Sequence, residues 1–420
     1  MKSALSELAR RTSEPAISWL MKLTLEHPKL ISLAAGFTDN DSLPVDEVRA
    51  VLDDVLASSR RGRPALQYGS TVGDTTLREQ TAEHVRQCDR SKRPASYAPE
   101  RTIITSGSQQ LLYMTTEALC DPGDIVLVED PTYFVYLGIT QSRGLRCRGV
   151  TLDADGIDLE HLDQVLVELN RAGNLRRVKL LYVISYFQNP TGRTTAFAKK
   201  RAALELLRHY ERAAGHPIYL VEDAAYRELR FSGDDEPSAL AADFAERVVY
   251  AGTYSKPFAT GARVGFGILP PEIFNAVARI KGNHDFGTAN LLQQLLARAL
   301  AAGAYRRHLP VLRRRYAAKA ARMTAAMREH FPSEVKWEEP RGGLYVWAQV
   351  PPLLKSGVKS ELFQAALRRD VLYVPGELCY CKDPTRRRPN CEMRLSFGGA
   401  GDHDIPRGIE RLGAVLRKLN

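Results

Sequence analysis

From residue 100 onward, short apolar runs alternate regularly with segments of helical periodicity, and this pattern limits the possible folds most strongly. The apolar runs that predict strands span residues 101–105, 125–129, 145–151, 178–185, 218–221, 248–251 and 264–268. The helical segments before and between them span residues 43–56, 108–119, 158–169 and 196–214. Short apolar strands separated by helices are typical of a mostly parallel sheet covered on both faces. The sequence therefore predicts an α/β fold whose large domain holds a mostly parallel, seven-stranded sheet between helices.

The rest of the chain predicts a second, smaller domain of α+β type. Long helices are predicted at residues 289–301 and 305–330, and residues 1–30 are partly helical. The later segments are an aromatic strand at residues 343–350, a helix at 360–369 and a short strand at 391–397. We assign residues 46–304 to the large domain and expect residues 1–45 to join residues 305–420 in the small one.

Basic residues outnumber acidic ones, with 59 Lys and Arg against 49 Asp and Glu and a net charge of +10. They are spread along the chain among acidic residues, and no block of like charge marks a nucleic-acid-binding tail. No apolar window approaches the length of a membrane span, and the first residues lack the apolar core of a signal peptide. We therefore expect a cytoplasmic protein with no nucleic-acid partner and no membrane partner.

Several other classes of site are disfavoured by their missing motifs. Cys379, Cys381 and Cys391 cluster before His403, but without the CxxC spacing typical of zinc sites, so no metal site is expected. No GxGxxG follows a predicted strand, and no Gly-Lys dipeptide indicates a phosphate-binding loop. Neither HExxH nor GxSxG occurs, which disfavours the common zinc proteases and serine hydrolases.

Candidate ligand-binding residues follow the predicted strands, at the sheet edge where open α/β sheets bind ligands. Ser108 and Gln109 begin a helix whose N-terminal N–H groups suit a phosphate, with simple capping by Ser108 as the alternative. Tyr133 follows the second strand, where its ring either packs in the core or stacks on a ligand. Asn189 precedes a proline, so its amide either projects from a strand end or stabilises its own loop.

Charged residues follow the next strands. Asp223 ends an apolar strand, where a buried carboxylate needs a partner, and Tyr226 comes three residues later. Lys256 follows Ser255 after another apolar strand, and it is either an amine that attacks a carbonyl or a lysine that reaches solvent. Arg263 comes seven residues after this lysine. Together these groups fit pyridoxal phosphate, whose pyridine nitrogen a carboxylate keeps protonated.

With these motifs in this order, the chain resembles the class I and II aminotransferases of fold type I. It is most similar to the branch acting on 2-aminoadipate, kynurenine and aromatic amino acids, from residues 33–36 (LAAG) to residues 394–398 (RLSFG). The resemblance implies that Lys256 forms the Schiff base with pyridoxal phosphate and moves the substrate proton, and that Asp223 pairs with the pyridinium nitrogen. The resemblance also implies that Tyr226 is a catalytic residue.

The resemblance also implies the remaining cofactor contacts. Asn189 and Tyr226 would hydrogen-bond the phenolic oxygen of the cofactor, and Tyr133 would stack on its ring. The implied phosphate contacts are Ser108, Gln109, Ser255 and Arg263.

Substrate and partner contacts follow from the same resemblance. Arg394 would bind the substrate α-carboxylate with two hydrogen bonds, a task that suits a guanidinium, and Gly36 and Asn189 would lie beside it. Tyr68 resembles the tyrosine that reaches the phosphate in the other subunit, which implies a homodimer.

The chain departs from the family pattern around the substrate path. The departures are at residues 36–41, where a Gly-x-Pro-Asp-Pro segment is frequent, at residues 70–76, at Pro257 and at residues 378–390. These departures leave the cofactor contacts intact, and they leave open which substrate binds. Arg10, Arg11 and the loop at residues 378–391 are the candidates for contacting a distal carboxylate or the side chain of the substrate.

The resemblance predicts an aminotransferase with a ping-pong mechanism. The donor would be an L-amino acid, either 2-aminoadipate, an aromatic one or another bulky or aliphatic one, and the expected acceptor is 2-oxoglutarate. Another reaction of the same cofactor, by a lyase, a decarboxylase or an oxygen-dependent oxidase, is the alternative. A non-enzymatic regulator is a remote alternative, because such proteins carry a winged-helix domain and only about 30 residues precede Ile31.

Overall fold

The computed structural model of the protein describes residues 3–419. The α-helices are α1 (Glu7–Arg11), α2 (Ala16–Glu26), α3 (Val45–Val55), α4 (Ser59–Leu66), α5 (Thr75–Cys88), α6 (Gly107–Leu119), α7 (Phe134–Arg143), α8 (Leu159–Arg171), α9 (Phe197–Ala214), α10 (Pro271–His284), α11 (Asn290–Ala301), α12 (Ala304–His330), α13 (Glu361–Arg368) and α14 (Asp404–Leu419). The strands are β1 (Ile31–Ser32), β2 (Thr102–Thr105), β3 (Ile125–Glu129), β4 (Arg146–Val150), β5 (Leu152–Asp153), β6 (Gly156–Ile157), β7 (Val178–Ile184), β8 (Tyr219–Asp223), β9 (Val248–Thr253), β10 (Gly265–Ile268), β11 (Lys336–Trp337), β12 (Tyr345–Gln349), β13 (Val371–Leu372), β14 (Val374–Pro375) and β15 (Glu392–Ser396).

The central sheet has seven strands in the order β2-β10-β9-β8-β7-β3-β4. Only β10 runs antiparallel to its neighbours, and the remaining pairs are parallel. Every residue of β2, β3, β8, β9 and β10 is buried. Continuous burial of this kind is expected for strands covered on both faces, because no side is left to solvent. The predicted α/β fold with a mostly parallel seven-stranded sheet is confirmed.

Local sequence signals set several helix ends. Asp74 and Asp158 precede α5 and α8, and each carboxylate accepts a hydrogen bond from the backbone N–H three residues ahead. Gly144 and Gly215 follow α7 and α9 with φ of 72° and 78°. A glycine adopts this left-handed conformation without a steric penalty, so both helices stop there.

A separate four-stranded sheet has the order β11-β12-β15-β14. In its centre, β12 and β15 run antiparallel, with Tyr345 opposite Ser396 and Trp347 opposite Arg394. The N-terminal strand β1 pairs in parallel with β13, and α12 packs along α14. The boundaries that divide the chain at residues 45 and 304 stay predictions.

Five helices lie where the sequence pattern predicted none, namely α4, α5, α7, α10 and α14. In α14 the signal is present, because Ile405, Ile409, Leu412 and Leu416 repeat at helical spacing and are buried. In α4 the helical pattern is hidden by several charged residues and by Pro64 inside the helix. Within residues 3–419, no helix combines the length and apolarity needed to cross a bilayer.

Candidate active site

Lys256 follows β9 and is partly buried, and its side chain points back toward the N-terminal segment. Its Nζ donates a hydrogen bond to the carbonyl oxygen of Gly36 at 2.8 Å. Burial, together with the charges of Arg263 and Arg394, lowers the pKa of Lys256 to about 8. Its amine is therefore neutral, and nucleophilic, at a much lower pH than that of an ordinary lysine.

Asp223 ends β8, the strand next to β9 in the central sheet, and only 4% of its surface is exposed. Its Oδ2 accepts a hydrogen bond from the Tyr182 hydroxyl at 2.9 Å, and its Oδ1 accepts one from the Ala225 N–H at 3.1 Å. Burial raises its pKa to about 6, because the ionised carboxylate loses hydration. Within the described residues it has no ion-pair partner, so a protonated ring nitrogen would supply the missing cation.

Four buried side chains form a hydrogen-bonded series that joins the central sheet to the four-stranded sheet. Arg394 on β15 donates to Asn189 Oδ1 at 2.7 Å. The Asn189 amide donates to the Tyr226 hydroxyl at 3.4 Å, and this hydroxyl lies 3.0 Å from that of Tyr345 on β12. The series places an amide and a phenol, both suited to a phenolic oxygen of the cofactor, beside a guanidinium.

The Arg394 guanidinium is 1% exposed and pairs with no carboxylate among residues 3–419. It lies over the Tyr345 ring, with Cζ 4.3 Å from the ring centroid, and donates to the carbonyl oxygen of Ala34 at 2.6 Å. Its Nε is buried without a hydrogen-bond acceptor. Because a buried and unpaired charge is costly, this arrangement fits an anionic ligand such as a carboxylate.

Glycine is required at position 36 because this segment passes close to the four hydrogen-bonded side chains. A Cβ at this position would lie 2.5 Å from the Tyr345 hydroxyl oxygen. Only glycine therefore allows the Gly36 carbonyl to reach Lys256 while Tyr345 contacts Tyr226.

The helix α6 begins at the same edge of the central sheet as the residues above. Ser106 precedes α6 but makes no side-chain capping bond, which leaves N–H groups of the first turn available to an anion. A Cβ at Gly107 would lie 2.7 Å from Arg263 Nη2, and a Cβ at Gly265 would lie 2.4 Å from the backbone of Gly107. The two glycines therefore let the arginine and the helix start converge.

The other predicted phosphate contacts lie around this point. Ser108 is half-buried and Gln109 is exposed, both in the first turn of α6. The Ser255 hydroxyl accepts a hydrogen bond from Arg263 Nη1 at 3.3 Å. A helix start, an arginine and hydroxyl groups are donors suited to a phosphate, so these residues fit pyridoxal phosphate together with Asp223.

Tyr133 and Tyr68 occupy different environments. Tyr133 precedes α7, is half-buried, and has its ring centroid 5.8 Å from that of Phe134. Tyr68 is 84% exposed, and its ring contacts Phe286 at 5.4 Å between centroids. The structure does not bring Tyr68 into contact with the predicted site residues of its own chain.

Two residues of the site lie outside the set predicted from the sequence. Tyr345 belongs to the predicted aromatic strand, but its place between Arg394 and Tyr226 depends on the pairing of β12 with β15. Tyr182 has the pattern of a core residue in β7, and its hydroxyl reaches Asp223 only because β7 and β8 are neighbours. No local signal marks either residue, because both roles arise from strand pairing.

A cavity of about 960 Å³ opens beside the site. Gln109 and Tyr133 line it together with residues 12–18, α7 and the loop at residues 378–388. Its basic side chains are Arg146, Arg148, Lys382 and Arg388. Arg10 and Arg11 instead donate to backbone carbonyls, and neither is among the residues that line the cavity.

The loop at residues 378–391 is anchored to the central sheet. Asp383 accepts a hydrogen bond from the Gly149 N–H at 3.0 Å, and Arg386 pairs with Asp130. Asp130 lies three residues before Tyr133 in the sequence. The Arg- and Cys-rich loop is thus fixed as a wall of the cavity.

Comparison with known proteins agrees with this geometry. Residues 28–412 match the family model described as aminotransferase class I and II. Aromatic-amino-acid aminotransferase 1 of Thermococcus litoralis is 34% identical to this chain over 98% of it and 94% of the relative. The kynurenine aminotransferase of Pyrococcus horikoshii, solved in complex with PMP, superposes with a TM-score of 0.89 at 31% identity over 99% of this chain and 97% of its own. The α-aminoadipate aminotransferase of Thermus thermophilus, complexed with N-(5'-phosphopyridoxyl)-L-leucine, superposes with a TM-score of 0.84 at 30% identity over 99% of this chain and 98% of its own.

Proposed function

The chain belongs to the class I and II aminotransferases, which use pyridoxal phosphate, and we propose that it moves the amino group of a bulky L-amino acid to a 2-oxo acid. The donor is 2-aminoadipate, an aromatic amino acid or another bulky or aliphatic one, and the acceptor is 2-oxoglutarate. The observation that carries the donor class is the cavity of about 960 Å³, whose lining residue Phe134 has its ring centroid 5.3 Å from Cζ of the buried Arg394. Such a volume accommodates a side chain much larger than that of alanine.

Lys256 is assigned as the attachment point of the cofactor and as the base. When bound, the cofactor supplies a ring that accepts the electron pair released at the substrate Cα. Because its pKa is lowered, the Lys256 amine is ready to take the proton from Cα. Asp223 would hold the proton on the ring nitrogen of the cofactor, while Asn189 and Tyr226 would donate hydrogen bonds to its phenolic oxygen.

The remaining assignments concern binding. Arg394 would bind the α-carboxylate of each substrate, with Gly36 and Asn189 beside it, and Tyr133 would hold the cofactor ring. The phosphate contacts are Ser108, Gln109, Ser255 and Arg263. Because one arginine serves both the amino donor and the oxo acid, the two substrates bind in turn, which is the basis of the ping-pong mechanism.

We assign the exposed Tyr68 to the phosphate site of a partner subunit in a homodimer. Its 84% exposure and that of Phe286, at 55%, support a surface that a second copy covers. The test is to mix two inactive variants, Lys256→Ala and Tyr68→Ala, under conditions that exchange subunits. A mixed dimer has one site with both residues intact, so activity should return. Failure to regain activity, or a monomeric wild type, would contradict the assignment.

The reaction itself is tested with a panel of amino donors in the presence and absence of 2-oxoglutarate. Transamination predicts that formation of the oxo acid requires the acceptor and yields one glutamate per oxo acid. Aromatic amino acids and 2-aminoadipate should exceed alanine in kcat/KM. Oxo-acid formation that ignores the acceptor or requires oxygen would instead indicate another reaction of the same cofactor.

A further inference from the structure

A second cluster of chemically reactive side chains lies outside the site described above. His84 and Cys88 are one turn apart on α5, and Glu228 belongs to the short helical turn Arg227–Leu229 that follows β8. His84 Nε2 lies 2.6 Å from Glu228 Oε1 and 3.7 Å from Cys88 Sγ, and Sγ lies 3.8 Å from Oε1. We propose that these three side chains bind one divalent cation of the zinc type.

The geometry fits coordination and does not fit a nucleophilic triad. In a triad the histidine uses its two ring nitrogens for the two neighbours, so that a proton can pass between them. Here one nitrogen, Nε2, faces both Cys88 and Glu228. Three lone-pair-bearing atoms, a thiol, an imidazole and a carboxylate, thus converge on one point, and each of them is a ligand type that zinc binds in proteins.

The separations are close to those that a zinc ion imposes. Bond lengths of about 2.0–2.3 Å in a tetrahedron place ligand atoms roughly 3.3–3.6 Å apart. The two distances from Cys88 Sγ, 3.7 and 3.8 Å, already lie near this range. Only the 2.6 Å contact between His84 and Glu228 must widen, by less than about 1 Å, when an ion replaces the shared proton.

Space for a fourth ligand adjoins the cluster. A small cavity of about 20 Å³ is lined by His84, Cys88 and Glu228 together with Pro257 and Ala225. That volume holds about one water molecule, which would complete the coordination of an ion with three protein ligands.

The carboxylate is oriented for this role by a neighbouring arginine. Arg313 Nη2 donates to Glu228 Oε2 at 2.9 Å, which leaves Oε1 directed at His84 and Cys88. An outer partner that orients a ligand in this way is common at metal sites.

The position of the cluster gives the ion a structural role. Glu228 lies two residues after Tyr226, so the ion would fix α5 against the segment that carries Tyr226. The ligands are 4 and 140 residues apart in sequence, which is why no metal motif is visible in the chain. The proposal does not depend on which substrate the enzyme uses.

The test is zinc content and zinc-edge X-ray absorption of the holoenzyme after incubation with zinc and dialysis. We expect one zinc per chain with one sulphur neighbour at about 2.3 Å and lighter neighbours at about 2.0–2.1 Å. Cys88→Ser should remove the sulphur neighbour, and Glu228→Gln should lower the retained zinc. Cys391→Ser is the matched control, because this cysteine is also half-buried but lies outside the cluster, and it should leave the signal unchanged.

Each outcome decides the proposal. Wild-type protein that retains no zinc, or retains zinc with no sulphur neighbour, overturns it. So does a sulphur neighbour that persists in Cys88→Ser or disappears in Cys391→Ser. Melting temperature and cofactor content, measured for every variant, separate loss of the site from loss of the fold.

Discussion

The hydroxyl groups of Tyr226 and Tyr345 lie 3.0 Å apart, which links the central sheet to the four-stranded sheet within the site. Tyr226 is the proposed donor to the phenolic oxygen of the cofactor, and Tyr345 also lies under the Arg394 guanidinium. The Tyr345 hydroxyl polarises the Tyr226 hydroxyl, which would strengthen the hydrogen bond from Tyr226 to the cofactor. Tyr345 is therefore expected to affect the acid–base behaviour of the bound cofactor through Tyr226.

Tyr345→Phe keeps the ring under Arg394 and removes only the hydroxyl. We expect kcat/KM to fall about 2- to 10-fold, because a neutral hydrogen bond contributes about 0.5–1.5 kcal/mol. Weaker support for the deprotonated phenolic oxygen should move the pH midpoint of the visible absorption of the holoenzyme upward. Tyr226→Phe should move it further in the same direction. An unchanged or lowered midpoint would rule out this role for Tyr345.

Arg394→Lys keeps the charge and removes the planar fork. We expect kcat/KM to fall roughly 10- to 100-fold, since a hydrogen bond to a charged group contributes about 1.5–3 kcal/mol, with most of the change in KM. Steady-state kinetics measure the loss, and cofactor absorption should stay unchanged. Arg387→Lys, at an exposed arginine, is the control. Loss of colour in the Arg394 variant would mean that this residue binds the cofactor.

Asp223→Asn keeps the shape and removes the charge that balances the ring nitrogen. We expect kcat to fall roughly 100- to 1,000-fold, the usual effect of removing one electrostatic contact at the reacting group. Single-turnover absorbance changes with an amino donor measure this step directly. Tyr182→Phe removes one hydrogen bond to the same carboxylate and should have a smaller effect. Nearly wild-type kcat in Asp223→Asn would contradict the assignment.

The lowered pKa of Lys256, about 8, predicts how the cofactor-free protein captures pyridoxal phosphate. The neutral amine reacts, so the capture rate should be level above pH 8 and fall about tenfold per pH unit below it. Between pH 8 and the unfolded value of 10.5, the unfolded chain binds more protons at this residue. This group therefore makes the cofactor-free fold more stable as pH rises through that window.

Stopped-flow absorbance at several pH values measures the capture rate. Arg394→Gln removes one of the two charges that lower the pKa, so its midpoint should lie at higher pH than that of the wild type. A wild-type rate that keeps rising up to about pH 10 before it levels off would show that the lysine behaves as an ordinary one.

The sequence indicates the proposed cofactor residues because each lies at or after the end of an apolar strand. Asp223 ends β8, while Asn189 and Lys256 come after β7 and β9, and parallel neighbours bring their carboxyl ends to one edge. Arg394 had no such signal and followed only from the family resemblance, since it lies within β15 on a different sheet.

Contacts between distant segments could not be predicted from local patterns. Tyr345 reaches Tyr226 only because the Gly36 segment leaves room and the two sheets meet at the site. The cluster of His84, Cys88 and Glu228 likewise depends on a contact across 140 residues. The cavity is formed by segments that lie far apart in the sequence, so its volume was not visible in any one of them.

The central claim is that Lys256 holds pyridoxal phosphate, and borohydride reduction followed by peptide mass mapping tests it most directly. We predict that the wild type is yellow, that reduction fixes one phosphopyridoxyl group on the peptide containing Lys256, and that Lys256→Ala carries none. Lys382→Ala, at a lysine in the cavity wall, should be labelled like the wild type. A wild type that carries no phosphopyridoxyl group, or carries it on another lysine, would contradict the account.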